Sequence, residues 1–252
     1  MGTYRYFVRL SFDGTRYHGW QTQPNAVTVQ EVLNNAFSLL LRAPVKLTGC
    51  GRTDTGVHAS EYYAHFDTAN PLDQESLDKL AFKLNSFLDD DIAIHSIFPV
   101  NLKIHSRFSA VSRTYRYVIT TVKDPFLVNR AYYLYGNIDV NLMNEAASWL
   151  RNIDDFTSFS KVDSDTRTNI CRVTHAEWTR EGDRLVFSIT ADRFLRNMVR
   201  AIVGTLLDLG TGRIDLNEFK KITAGKNRSD AGDSVPACGL FLTGVVYPFQ
   251  NE

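Results

Sequence analysis

A chain of 252 residues, 44% hydrophobic and 22% charged, carries enough apolar material for one large domain or two smaller ones sharing a core. Its 28 basic and 28 acidic side chains cancel, which argues against indiscriminate binding to a polyanion but leaves room for a local basic face. No apolar run approaches the roughly 18–20 residues of a membrane span, and the alternating N-terminus lacks the apolar stretch of a signal peptide. Cys50, Cys171 and Cys238 lie far apart with no Cys-x-x-Cys pair, so reduced thiols in a cytoplasm are expected.

Tyr4 to Phe12 alternates as a strand and stops at the turn signal Asp13-Gly14. Thr28, with Glu31 three residues on, opens a helix whose apolar face is Val29, Val32, Leu33, Ala36, Phe37 and Leu40. Val45 to Cys50 and Glu61 to Phe66 read as strands around a glycine-bearing loop, Asp73 to Phe87 as a helix, and Asp91 to Val100 as a strand. That order, β-α-β-β-α-β, is the ferredoxin-like (RRM-like) arrangement.

The second half repeats the pattern. Arg113 to Val122 is a strand and Asn141 to Leu150 a helix; Arg172 to Thr179 and Leu185 to Thr190 form a hairpin around Glu181-Gly182-Asp183. Phe194 to Leu209 reads as an apolar helix stopped by Gly210, followed by a short helix at Leu216 to Ala224 and a strand at Leu240 to Tyr247. The expectation is an α+β protein of two ferredoxin-like βαββαβ halves with mixed, mainly antiparallel sheets and a cleft between them. The domains would be 1–105, an α+β domain carrying the glycine-bearing loop, and 106–252, an α+β domain completing the cleft.

Charge is uneven. Residues 1–100 hold 8 basic and 11 acidic side chains, and the remainder 20 and 17. Within 103–130, six basic residues (Lys103, Arg107, Arg113, Arg116, Lys123, Arg130) face a single acid, Asp124. A solvated strand edge and a nucleic-acid face both fit that stretch.

The glycine-bearing loop is Gly49-Cys50-Gly51-Arg52-Thr53-Asp54-Thr55-Gly56-Val57-His58-Ala59. Its glycines do not match G-x-G-x-x-G, and no Gly-Lys-Ser/Thr follows, so a phosphate cradle is disfavoured. Cys50 and His58 lack the further ligands that zinc requires. Asp54-Thr55-Gly56 is the triplet of aspartic proteases, whose mechanism needs a second carboxylate, and Asp233-Ser234-Val235 lacks the glycine of such a partner.

Gly51 to Ala59 resembles the G-R-T-D-x-G-V-H-A signature of the tRNA pseudouridine(38–40) synthase, or pseudouridine synthase A, family. Asp13-Gly14-Thr15-Arg16-Tyr17-His18-Gly19-Trp20-Gln21 is similar to the N-terminal segment of that family. His105 to Ala110, with Ser106 for the usual alanine, and Arg113-Thr114-Tyr115-Arg116-Tyr117 match further motifs. Phe156-Thr157-Ser158-Phe159, Met198-Val199-Arg200 with Val203-Gly204, and Gly239-Leu240 follow in the family's order.

The resemblance implies a cofactor-free and metal-free enzyme that isomerises uridine to pseudouridine at positions 38, 39 and 40 of the tRNA anticodon stem-loop. It makes Asp54 the nucleophile, attacking either the uracil ring or the ribose, and Arg200 the ionic partner that keeps Asp54 ionised. Tyr115 would stack on the target base and take part in proton transfer, and Arg52 would displace that base from the RNA stack. Arg193, Arg196 and Arg200, at i, i+3 and i+7, would share a helix face opposite Leu195, Val199, Ile202 and Leu206. Tyr117 and His58 receive no catalytic role. The family implies tRNA as partner, a homodimer with one tRNA touching both subunits, and a cytoplasmic location. A non-catalytic RNA-binding protein of the same fold is the main alternative, and an aspartic protease of the Asp-Thr-Gly type the lesser one.

Overall fold

The computed structural model describes residues 2–161 and 166–250. The chain divides into two compact units, the first formed by 1–111 with 242–252 and the second by 112–241. The protein is α+β with mainly antiparallel strand pairing.

In the first unit, β1 (Tyr4–Phe12) lies between β3 (His58–Thr68) and β4 (Ile92–Val100), antiparallel to both, and the short β2 (Thr48–Gly49) pairs with the far side of β3. The order β4-β1-β3-β2 is that of a ferredoxin-like sheet. Along β1 the side chains of Tyr6, Val8, Leu10 and Phe12 are buried, as alternation requires, and Phe7 on the opposite face is buried as well, so both faces of this strand are covered. Phe7 meets Tyr247 and Phe249 edge-on, with ring centroids 5.1 and 5.8 Å away. Helix α1 (Val29–Leu41) starts where the Thr28 hydroxyl accepts the Glu31 N–H, and α2 (Gln74–Phe87) where Asp73 accepts the Ser76 N–H.

The strand expected over Val45 to Cys50 shrinks to two residues. Side chains of α1 take the backbone groups that a ladder would use: Ser38 accepts the Val45 N–H, Asn34 accepts the Leu47 N–H, and Gln30 donates to the Leu47 carbonyl.

The second unit holds β5 (Ser112–Thr120), β6 (Tyr132–Tyr133), α3 (Val140–Trp149), β7 (Val173–Glu181), β8 (Arg184–Ala191), α4 (Met198–Gly210) and α5 (Leu216–Gly225). Antiparallel β8 lies between β5 and β7, and β6 pairs in parallel with β5. The last strand, β9 (Leu240–Val246), begins here and passes into the first unit at Leu242.

Two expectations for α4 are corrected. The helix begins at Met198, not Phe194, because Asn197 adopts the left-handed conformation (φ 66°) and breaks the helical path. Arg193 and Arg196 therefore precede the helix and share no helical face with Arg200. At the other end Gly210 is a buried helical residue, where a Cβ would meet the Met143 side chain at 2.7–2.8 Å. The left-handed glycine after the helix is Gly212 (φ 77°). No helix among the described residues is long and apolar enough to cross a membrane.

Candidate active site

The loop between β2 and β3 is held by contacts from the segment 13–20, which lies some forty residues earlier in sequence. At its entry, the Trp20 N–H donates to the Thr53 carbonyl at 3.4 Å. Gly19 (φ 84°) passes so near that a Cβ there would stand 2.2 Å from that oxygen. In its middle the Gly56 N–H donates to the Tyr17 carbonyl at 3.3 Å. Asp54 itself opens a tight turn: the Val57 N–H donates to its carbonyl at 3.2 Å, with Gly56 left-handed at φ 77°. At the exit a Cβ on Gly14 would lie 2.0 Å from the Val57 carbonyl oxygen, and the Gly14 N–H donates to His58 Nδ1 at 3.0 Å.

An aromatic pair supports the loop from below. Trp20 and Tyr62 stack at 4.2 Å between centroids, and the Tyr62 hydroxyl donates to the Gly51 carbonyl at 2.5 Å. Gly49 fits only because it lacks a side chain, since a Cβ would fall 2.1 Å from that hydroxyl oxygen and 2.5 Å from Trp20 Nε1. The consequence is a rigid backbone on both sides of a half-buried Asp54, with Arg52 and Thr55 exposed beside it. A carboxylate on a tethered turn next to an exposed planar cation suits attack on an electrophilic carbon in a ligand that also carries negative charge. The Thr53 hydroxyl has no hydrogen-bond partner among the described residues, although its oxygen is enclosed.

Tyr115 and Arg200 belong to the second unit. On β5, Tyr115 is half-buried, and its ring meets Phe194 edge-on at 5.0 Å and 86°. Tyr117, two residues on, is wholly buried and donates its hydroxyl to the Pro236 carbonyl at 2.7 Å. Burial pushes that phenol far above its ordinary range, and the charge of Arg200 opposes the shift. The motif match singles out Tyr115 alone, and burial separates the two tyrosines independently of it.

Arg200, in the first turn of α4, donates Nε to the Val235 carbonyl at 2.7 Å, and the Val235 N–H donates back to the Arg200 carbonyl at 3.3 Å. The segment carrying Val235 is itself seated on α4. A Cβ on Gly204 would stand 1.8 Å from the Asp233 carbonyl oxygen, and the Gly232 N–H donates to the Thr205 hydroxyl at 2.9 Å. Asn197 and Arg228 both donate to the Ser234 hydroxyl, at 2.5 and 3.0 Å. Asp233-Ser234-Val235, which fails as a second protease triplet, thus orients the Arg200 guanidinium.

Within the basic stretch 103–130, Arg116 pairs with Glu181 and Arg113 donates to the Asp192 carbonyl at 3.0 Å. Arg107 stands over the exposed Phe108 ring at 5.5 Å. Lys123 and Arg130 are exposed.

Sequence reasoning did not assign work to Gly14, Gly19, Trp20, Tyr62, Phe194 or Val235. The similar motif Asp13 to Gln21 was the available signal for the first three, and nothing local marked the others.

The model of a family described as tRNA pseudouridine synthase matches residues 10–109 and 153–248. A relative in Bacteroides fragilis, named tRNA pseudouridine synthase A, is 51% identical over 250 residues, covering 98% of each chain. A relative of the same name in Parabacteroides distasonis is 51% identical over 244 residues, covering 97% of this chain and 96% of its own. Another, in Caldicellulosiruptor bescii, is 40% identical over 242 residues, with 95% and 98% covered.

Proposed function

The chain belongs to the tRNA pseudouridine synthase family, and on that premise we propose that it isomerises uridine to pseudouridine at positions 38, 39 and 40 of the tRNA anticodon stem-loop, with Asp54 as nucleophile. It is an isomerase: the bond from C1′ to N1 breaks and one from C1′ to C5 forms, while C5 gives up a proton and N1 takes one. No electrons or groups are exchanged with a second reactant, so the reading asks for no cofactor.

The observation that carries the assignment is the seat of Asp54. A half-buried carboxylate stands in a turn that backbone contacts fasten on both sides, at Thr53 and at Val57. Such preorganisation is what a covalent carboxylate step needs. Arg200 is the ionic partner of Asp54, its guanidinium oriented through Nε by Val235. Tyr115 stacks on the target base and takes part in proton transfer, its ring angle set by Phe194. Arg52, exposed two residues before Asp54, displaces the base from the RNA stack, which otherwise costs a few kcal/mol to open. The exposed Lys123 and Arg130 serve phosphate contacts. The active form is a homodimer, acting in the cytoplasm, with one tRNA touching both subunits.

The test is tRNA carrying C5-tritiated uridine, incubated with the pure protein. Release of tritium to water, with pseudouridine mapped to 38–40, is the expected result. Asp54→Ala should bind the tRNA within severalfold of the parent and release none; release at the parent rate would remove Asp54 from the role. Tight binding by the parent without any release would favour the non-catalytic alternative.

A further inference from the structure

His58 is a buried titratable residue of the Asp54 loop that the reaction above leaves without a task. It is 2% exposed, and its Nδ1 accepts the Gly14 N–H at 3.0 Å, a bond between residues 44 apart in sequence. The Asp13 carboxylate oxygen lies 3.2 Å from the same nitrogen, but it already accepts the Thr15 N–H and hydroxyl at 3.0 and 2.5 Å. An accepting Nδ1 places the ring hydrogen on Nε2.

The ties at Thr53 and Gly56 run backbone to backbone. At the exit the tie passes through a side chain, that of His58. Val57 stands between His58 and the Asp54 turn, one hydrogen bond from the Asp54 carbonyl. Its own carbonyl is pressed against Gly14, where there is no space for even a methyl group. If His58 offers no acceptor, the buried Gly14 N–H is left unpaired. Relief then comes from parting the two segments, which carries Val57 and the turn with it.

We propose that His58 is a positioning residue for the reaction: by accepting the Gly14 N–H it pins the exit of the turn and so fixes the direction of the Asp54 carboxylate. This rests on Asp54 being the nucleophile. A purely structural histidine would affect folding alone, whereas a positioning one affects the rate of folded protein.

Asparagine can place its carbonyl oxygen near the site of Nδ1, and leucine fills similar space without an acceptor. Single-turnover tritium release at saturating protein, tRNA Kd and Tm are measured for H58N, H58L and D54N. H58N is expected within about threefold of the parent rate, and H58L to be ~10–100-fold slower with Kd within about twofold. H58L at the parent rate overturns the proposal, as does equal slowing of H58N and H58L. Should H58L melt below the assay temperature, H58Q replaces it, since its acceptor sits one bond farther out; ~10-fold slowing is expected, and the parent rate overturns the proposal. D54N should bind tRNA without release. Its turnover at the parent rate would overturn the nucleophile and this inference together, whereas failure of the His58 variants alone leaves Asp54 in place.

Discussion

Gly19 and Thr53 approach so closely that a Cβ on the glycine would stand 2.2 Å from the carbonyl oxygen of the threonine. The contact joins the end of the 13–20 segment to the residue before Asp54, and Gly19 is also left-handed at φ 84°. Alanine there meets two penalties, about 1–2 kcal/mol for the backbone conformation and more for the displaced carbonyl. Gly19→Ala should lower Tm and slow tritium release at least tenfold in the fraction that remains folded. Unchanged Tm and rate would show that the loop does not depend on this approach.

Thr53 is also the source of an opposite effect. Its hydroxyl is enclosed and unpartnered among the described residues, and an unmade hydrogen bond of this kind costs about 1–3 kcal/mol. Thr53→Val keeps the branched shape and removes the cost. A Tm rise of about 2–4 °C is expected for each kcal/mol recovered in a chain of this size. A fall in Tm would mean that the hydroxyl has a partner in solution.

The Nε of Arg200 bonds to the Val235 carbonyl at 2.7 Å. Lysine preserves the charge but has neither that donor nor a planar fork, so Arg200→Lys should reduce kcat/KM by about tenfold to a hundredfold. Steady-state kinetics with tRNA checks this, and parent-like kinetics would show that charge alone suffices at this position.

His65 supplies a pH dependence. Its ring is buried, with Nδ1 2.8 Å from the Ser106 hydroxyl and 3.2 Å from the Ser106 nitrogen, which donates to it. Burial first, and then the charges of Arg5 and His105, push its pKa from 6.5 down to about 4, with Asp67 opposing. Because the folded-state value lies below the unfolded one, the unfolded chain binds the extra proton in that interval. Stability contributed by neutral His65 is therefore full above pH 6.5 and falls as the pH drops towards 4. Denaturant midpoints measured from pH 7 to 4 should decline in the parent, and the decline should flatten in His65→Asn, which keeps an acceptor for Ser106. An equal decline in the variant would assign it elsewhere. Asp67, held below the ordinary carboxylate range by its bond to Arg5, should add a further loss at lower pH.

Much of the fold was legible because its signals are local. Alternation in Tyr4 to Phe12, the cap at Thr28, the helical spacing of Leu77, Leu80 and Leu84, and the turn at Gly182 act over a few residues, and the structure has the corresponding strands and helices. Local signals are overridden where a distant group takes over a backbone atom or a single residue turns left-handed. Helix α1 side chains claim Val45 and Leu47 and cut β2 short. The left-handed turn at Asn197 delays α4 and removes Arg193 and Arg196 from its face.

The sequence by itself determined the β-α-β-β-α-β order of the first unit, the family resemblance and the identity of the loop with Asp54 in it, since these reside in residue order and short-range periodicity. Only the tertiary structure decided that segment 13–20 clasps that loop, that Tyr117 is core while Tyr115 is half-buried, and that Val235 orients Arg200. Each of those depends on close approach between residues 33 or more positions apart, and steric fit at that separation leaves no periodic trace in the chain.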